Sequence, residues 1–186
     1  MSLANEELRL KKAHIALMKH PETALYSGVM LMGSSSVESG KFTAYTDGIN
    51  KKYCADFIRG LDDKTLRGLI LHETLHVALK HIIRFRKEFK AEPQLINAAA
   101  DFVVNDIIFT MNDNSFVGLP DGALYDQMFH GWSVREVYDY LKKHSKKQKQ
   151  PKYPNGEEGG DGSDDGSGSG ETIYKPLDEQ IGRAHV

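Results

Sequence analysis

Residues 63–79 read DKTLRGLILHETLHVAL, and their apolar side chains recur at the three- and four-residue spacing of a helix. Asp62 or Asp63 can cap the first turn of this helix, and the apolar pattern continues to about Lys87. We therefore predict one continuous helix over this part of the chain. It contains the most informative motif in the sequence.

That motif is HExxH, present as His72-Glu73-Thr74-Leu75-His76. Side chains four residues apart on a helix lie about 40° from each other around its axis, so both imidazoles project from one face. Two imidazoles in this arrangement can bind one Zn²⁺ at roughly 2.0–2.1 Å, and the glutamate between them can take a proton from a metal-activated water. We predict that His72 and His76 are metal ligands and that Glu73 is a catalytic general base.

A catalytic zinc site needs a third protein ligand, and His81 is the nearest histidine along the chain. On a continuous helix it would lie about 140° from His76 and about 180° from His72, so it would point away. The metzincin pattern HExxHxxGxxH does not fit either, because Leu79 occupies the glycine position and His81 comes one residue too early. We predict that His81 lies behind the ligands, on the substrate side, or on the surface.

The predicted third ligand lies on the next helix, which Pro93 can begin and which continues to about Met111. Asn97, Asp101 and Asn105 are four residues apart and form one polar stripe on an otherwise apolar helix. A buried stripe of this kind needs polar partners, and a metal shared with the HExxH helix would supply one. We predict Asp101 as the ligand, with Asn97 and Asn105 orienting the ligands from behind.

Two alternatives to this assignment stay open at the level of the sequence. Asp101 can instead form a buried hydrogen bond or ion pair. Glu88 and Glu92 can then serve as the third ligand, although both fall near the exit of the HExxH helix.

The remaining pattern predicts more helices and a small sheet, which together indicate an α+β fold. Helical periodicity runs from Asn5 to about His20, and the capping box Ser133-Val134-Arg135-Glu136 begins a last helix that ends near His144. We predict strands at 26–32 and 42–46, a loop at 33–36, a hairpin turn at Asp47-Gly48, and a short helix or turn at 54–60.

The composition changes at about residue 145, so we assign 1–144 to one domain. Six lysines lead into a Gly/Ser/Asp/Glu tract, and we interpret 145–170 as a flexible linker; contact of the lysines with nucleic acid is the less favoured alternative. Residues 171–180 resemble the start of a truncated second domain. Residues 181–186 match the translation of a common sequencing adapter, and we expect them not to be biological.

The bulk composition excludes several classes of protein. A net charge of −2 gives no reason to expect nucleic acid or an anionic membrane as a partner. The sequence shows neither an apolar run long enough to span a bilayer nor a signal segment, so we expect a cytoplasmic protein. The single cysteine, Cys54, excludes an internal disulfide and is predicted to be a small buried side chain.

Four segments together resemble the zincin-like metallopeptidase domain that precedes a von Willebrand factor A-like domain in bacterial and phage proteins. They are the HExxH segment 72–81, the stripe 97–106, and the segments Thr43–Gly48 and Trp132–Tyr138. The resemblance implies a zincin-like core with Zn²⁺ at His72 and His76, Glu73 as base and Asp101 completing the site. It also implies a von Willebrand factor A-like domain after the linker and suggests an AAA+ ATPase as a partner.

The sequence therefore predicts metal-assisted hydrolysis of peptide bonds in a peptide or protein substrate. The strand near Thr43–Thr46 can pair with an extended substrate. Candidate residues for stabilising the oxyanion are Tyr45, His81, Tyr125 and His130. The alternative function is a non-catalytic module, stabilised by zinc, that acts with the von Willebrand factor A-like domain.

Overall fold

The computed structural model describes residues 3–111 and 115–148, with side chains up to residue 144. Its helices are α1 (Ala4–Lys19), α2 (Ser27–Met30), α3 (Ala55–Gly60), α4 (Asp63–Ala78), α5 (His81–Arg84), α6 (Arg86–Ala91), α7 (Pro93–Met111) and α8 (Val134–Gln148). Its strands are β1 (Ser35–Glu38), β2 (Ala44–Thr46) and β3 (Lys51–Cys54). Single 3-10 turns occur at Ala24–Tyr26 and Gln127–Phe129. The α+β prediction, mainly helical with a small sheet before the HExxH helix, is confirmed.

The C-terminal part of the chain is described only to the end of α8, which continues a few residues past the predicted end at His144. The other residues assigned to the linker, 149–170, lie outside the described residues. So do the predicted start of a second domain, 171–180, and the adapter-like residues 181–186.

The three strands form one sheet in the order β1-β3-β2, which leaves β2 at an edge. The predicted hairpin is confirmed: β2 pairs antiparallel with β3, and Ala44 lies opposite Tyr53. The Asp47 carboxylate holds the turn by accepting the amides of Ile49 and Asn50 at 2.9 and 2.8 Å. Strand β1 pairs in parallel with β3 on its other side.

The strand predicted at 26–32 is wrong, because this segment contains a 3-10 turn and then α2. The loop predicted at 33–36 is wrong in part, because Ser35 and Ser36 belong to β1. The cause is a long-range contact. The buried ammonium group of Lys51, on β3, donates to the carbonyls of Val29, Met30 and Met32 at 2.9–3.2 Å. These bonds satisfy carbonyls that the end of α2 leaves open, so tertiary contact overrides the local β propensity.

The continuous helix predicted from 63 to about 87 is also wrong. Helix α4 begins as predicted, with the Asp62 carboxylate accepting the Thr65 amide at 2.6 Å, but it ends at Ala78. Lys80 then adopts a left-handed backbone conformation with φ 56°, and two short helices, α5 and α6, follow. A single left-handed residue is a common way to end a helix, although glycine usually occupies it. The reversal redirects every side chain after Lys80.

Helix α7 joins two groups of buried apolar side chains. Val104 and Ile108 pack with α1, α4 and the sheet. Ile96 and Phe102, on the same helix, pack instead with Phe129 and α8. Helix α8 begins with the predicted capping box, in which the Glu136 carboxylate accepts from the amide and hydroxyl of Ser133 at 2.8 and 2.7 Å. Because α4 and α7 are both deeply buried and packed together, polar residues on their facing sides are forced into contact.

Within residues 3–111 and 115–148, each helix is too short or too polar to cross a bilayer.

Candidate metal centre

Helices α4 and α7 bring the three predicted metal ligands together. The Nε2 atoms of His72 and His76 are 3.0 Å apart. The Oδ1 atom of Asp101 lies 3.5 Å from the first and 3.1 Å from the second. Ligand atoms on a tetrahedral Zn²⁺ at 2.0–2.1 Å would be about 3.3 Å from one another. Two imidazoles and one carboxylate therefore converge with the spacing that one metal ion requires.

The hydrogen bonding of Asp101 supports the same interpretation. Its Oδ1 atom is buried and has no hydrogen-bond partner among the described residues. A buried carboxylate oxygen without a partner is costly, and the nearest groups are the two histidine nitrogens that converge on the same point. A cation held between the three side chains would satisfy all of them. The donor set also leaves room for a fourth ligand, as a catalytic zinc site does.

Each of the three side chains is held from behind by a second polar group. Asn105 Oδ1 accepts from Nδ1 of His72 at 2.8 Å, which leaves Nε2 of that ring to face the metal position. Asn97 Nδ2 donates to Oδ2 of Asp101 at 3.0 Å, which leaves Oδ1 of that carboxylate inward. Asn97 and Asn105 therefore hold His72 and Asp101 from the side away from the point where the three groups converge.

His81 is the third group in this outer layer, which is one of the three positions predicted for it, but the helix geometry that pointed its ring away from His76 is wrong. That prediction required a continuous helix, whereas the reversal at Lys80 turns the chain back. The His81 ring is 1% exposed, and its Nδ1 atom lies 3.1 Å from Nδ1 of His76. Because Nε2 of His76 faces the metal position, its Nδ1–H donates to Nδ1 of His81.

The electrostatics of the site follow from burial and from the contacts with Asp101. Burial lowers the pKa of His72, but the adjacent Asp101 carboxylate outweighs burial and raises that pKa to about 9. Burial likewise raises the pKa of Asp101, but its contacts with His72 and His76 hold it well below the usual range. Burial raises the pKa of Glu73 to about 7. Burial and the neighbouring His76 lower the pKa of His81 to about 3, so this ring is neutral at pH 7 and can accept a hydrogen bond.

Two cavities flank the three ligands, and Glu73 lines both. The first, about 360 Å³, lies between Ala44 of β2, α4 and the loop 119–124. The second, about 380 Å³, lies between Thr46, α4 and the start of α7. The glutamate of the HExxH motif is thus in a position to contact a molecule that occupies the cleft on either side of the metal position.

The alternative ligands proposed from sequence are occupied elsewhere. The Glu88 carboxylate accepts from Arg135 at 2.5 Å, and Glu92 accepts from Lys142 at 2.6 Å. Both pairs connect α6 and its exit to α8. Glu88 and Glu92, the alternative third ligands, therefore form ion pairs away from His72, His76 and Asp101.

None of the four candidate oxyanion residues lines either cavity. Tyr45 packs against Phe42, and Tyr125 stacks on Phe109. His130 is bonded to Asp106 at 3.0 Å. The fourth candidate, His81, lies behind His76. Neither cavity contains any of these four residues among its lining side chains.

Gly68 is a site residue that the sequence reasoning missed. It lies on α4, one turn before His72, and a β-carbon added there would be 1.7 Å from the carbonyl oxygen of Gly118. The glycine therefore allows the segment at Gly118 to lie directly on α4. A glycine in the interior of an otherwise strong helix, which costs about 1 kcal/mol relative to alanine, is the signal that could have identified it.

Comparisons with known proteins agree with this geometry. A family model described as a putative metallopeptidase domain matches residues 5–183. Neither a curated protein nor a solved structure matches the chain significantly. The family match covers nearly the whole chain and includes all three converging ligands and Glu73. The chain therefore belongs to this metallopeptidase-domain family.

Proposed function

We propose that the protein is a zinc-dependent peptidase with a zincin-like core, in which His72, His76 and Asp101 hold Zn²⁺ and Glu73 is the general base. One observation carries the proposal: the three ligand atoms converge at 3.0–3.5 Å beside a buried glutamate that lines both cavities. A site whose only purpose is structural needs neither the open cleft nor the glutamate.

The chemistry follows from the position of Glu73. Bound Zn²⁺ supplies a Lewis acid that polarises the scissile carbonyl and lowers the pKa of water. The Glu73 carboxylate takes a proton from the attacking water as the water oxygen bonds to the carbonyl carbon. It then gives that proton to the amide nitrogen as the C–N bond breaks. A pKa near 7 suits a group that must both accept and release a proton.

The position of β2 supports an extended peptide as the substrate. The Thr43 carbonyl accepts from Cys54 at 2.9 Å and the Asp47 amide donates to Asn50 at 3.2 Å, so these groups point to β3. Backbone groups alternate along a strand, and those of Ala44 and Thr46 therefore point to the open edge. Ala44 and Thr46 line the two different cavities, so a peptide paired with this edge would pass the metal position.

The test compares wild type with Glu73→Gln. Both proteins should contain about one zinc per chain by elemental analysis, and only wild type should cleave a peptide library. Glu22→Gln, at an exposed glutamate far from the motif in sequence, is the matched control and should cleave as wild type does. If wild type and Glu73→Gln behave alike on every peptide, the peptidase proposal fails and a zinc-stabilised interaction module replaces it.

A further inference from the structure

The first cavity has a distinct division between polar and apolar walls. His72, Glu73 and Asp101 line it where it meets the metal position. The rest of the lining is mainly apolar and includes Ala44, Phe57, Leu69, Leu119, Pro120, Ala123 and Leu124. Thr43, Asn105 and the exposed Asp121 are its polar exceptions. A cleft that is mainly apolar beyond one reactive end suits an apolar group attached to a polar backbone.

The outer wall of this cavity is fixed to the active-site helix. Gly118 lies against Gly68, and its amide donates to the carbonyl of Lys64 at 3.2 Å. Further along the same loop, the Leu124 carbonyl accepts from Nδ2 of Asn105 at 2.9 Å. The wall is therefore tied to α4 at one end and to α7 at the other.

Asn105 connects that wall directly to the metal position. One end of its carboxamide accepts from His72, and the other end donates to Leu124. One side chain that is hydrogen-bonded at both ends thus joins the loop to His72. A preformed cavity of this kind loses little conformational entropy when it is filled.

The second cavity differs from the first in chemistry. Its walls include Thr46, Gln94 and Asn97 together with Ile82 and Phe89, so polar and apolar groups are mixed along it. The two sides of the metal position therefore present different surfaces to a bound peptide, and the first cavity has the larger number of apolar lining residues.

We propose that the cavity between Ala44, Leu69 and the loop 119–124 is a specificity pocket, which takes an apolar side chain of the substrate residue next to the scissile bond. The inference rests on the proposed function and names the substrate class: peptides with a residue such as leucine adjoining the bond that is cut. Burial of a leucine side chain in an apolar pocket is expected to strengthen binding about tenfold or more.

The test uses two probes with the same zinc-binding group, N-acetylglycine hydroxamate and N-acetylleucine hydroxamate. Their dissociation constants for the zinc-loaded protein are measured by calorimetry, so no turnover is needed. The leucine probe should bind about tenfold or more tightly than the glycine probe. Ala123→Phe, which fills the cavity from its loop, should remove this preference.

Gln127→Phe is the control, because this exposed residue follows the same loop but does not line the cavity. It should keep the full preference for leucine. If zinc-loaded wild type binds both probes equally, the pocket proposal is wrong, but the proposed metal centre is unaffected. The same conclusion follows if Ala123→Phe keeps the preference for leucine. If the protein takes up no zinc and binds neither probe, the metal centre itself fails and the pocket fails with it.

Discussion

His81 holds His76 from the side opposite the metal position: the Nδ1 atoms of the two rings lie 3.1 Å apart, and the His81 ring is 1% exposed. Two residues of non-helical chain separate α4 from α5, and the left-handed conformation of Lys80 between them makes this contact possible. The contact fixes the tautomer of His76, because a neutral His81 accepts the Nδ1–H and leaves Nε2 for the metal.

Removal of this partner should weaken metal binding. Groups that orient a zinc-binding histidine typically contribute about 10–100-fold in metal affinity. We expect His81→Ala to lose zinc affinity by a factor in that range, as measured by competition with a chelator, and His81→Asn to recover part of it. His130→Ala is the control, because His130 is largely exposed and lines neither cavity. Equal affinity in wild type and His81→Ala would contradict a positioning role.

Asp101 should be a direct ligand, so its loss should cost more than the loss of His81. We expect Asp101→Asn to lose more than about 100-fold in zinc affinity, since it removes the charge as well as a metal bond. Asp106→Asn is a matched control on the same helix: it is also buried, but it accepts from His130 and the Gly131 amide. The zinc content of the two variants is compared by elemental analysis after dialysis. Full zinc content in Asp101→Asn would remove Asp101 from the ligand set.

Zinc binding should depend on pH through His72. Its pKa of about 9 means that the metal-free protein carries a proton on this ring at pH 7, and zinc must displace that proton. Lowering the pH below about 9 therefore weakens zinc binding, and raising it toward 9 strengthens binding. Calorimetry in buffers of different ionisation enthalpy counts the protons released.

Glu73→Gln is the suitable background for this measurement, because the carboxyl of Glu73, with a pKa of about 7, can also exchange a proton. In this variant at pH 6, below the pKa of about 7 expected for a zinc-bound water, we expect about one proton released from His72 for each zinc bound. No proton release at pH 6 would mean that His72 is already deprotonated before zinc arrives.

Gly68 should be intolerant of any side chain. An added β-carbon would lie 1.7 Å from the Gly118 carbonyl oxygen, so the loop or the helix must move. We expect Gly68→Ala to lower the free energy of unfolding by about 1–3 kcal/mol in urea denaturation. Gly60→Ala, at the end of α3, meets no atom within 4 Å and should instead gain up to about 1 kcal/mol. Equal stability of the two variants would contradict the close approach of the loop to α4.

Several features of the fold follow from the sequence because they depend on local geometry. The faces of α4 and α7 are set by helical periodicity, so the HExxH spacing and the polar stripe both predict which side chains share a side. The hairpin turn after β2 is also local, because the Asp47 carboxylate accepts hydrogen bonds from amides two and three residues further along the chain. By contrast, α2 could not be predicted from its own residues, because the carbonyls at its end are satisfied by Lys51 from a distant strand.

The sequence by itself therefore predicted which side chains come together, namely His72, Glu73, His76 and Asp101, since each prediction depends on residues spaced along one helix. Only the tertiary structure decided the position of His81, because the chain turns after α4 at Lys80. This residue is not a glycine, and no local sequence pattern predicts its left-handed conformation. The tertiary structure also decided the shape of the cleft, because that shape depends on two glycines, Gly68 and Gly118, that are far apart in the chain and in direct contact in the fold. Helical periodicity determines on which face of a helix a side chain lies, whereas long-range packing determines which residues that face contacts.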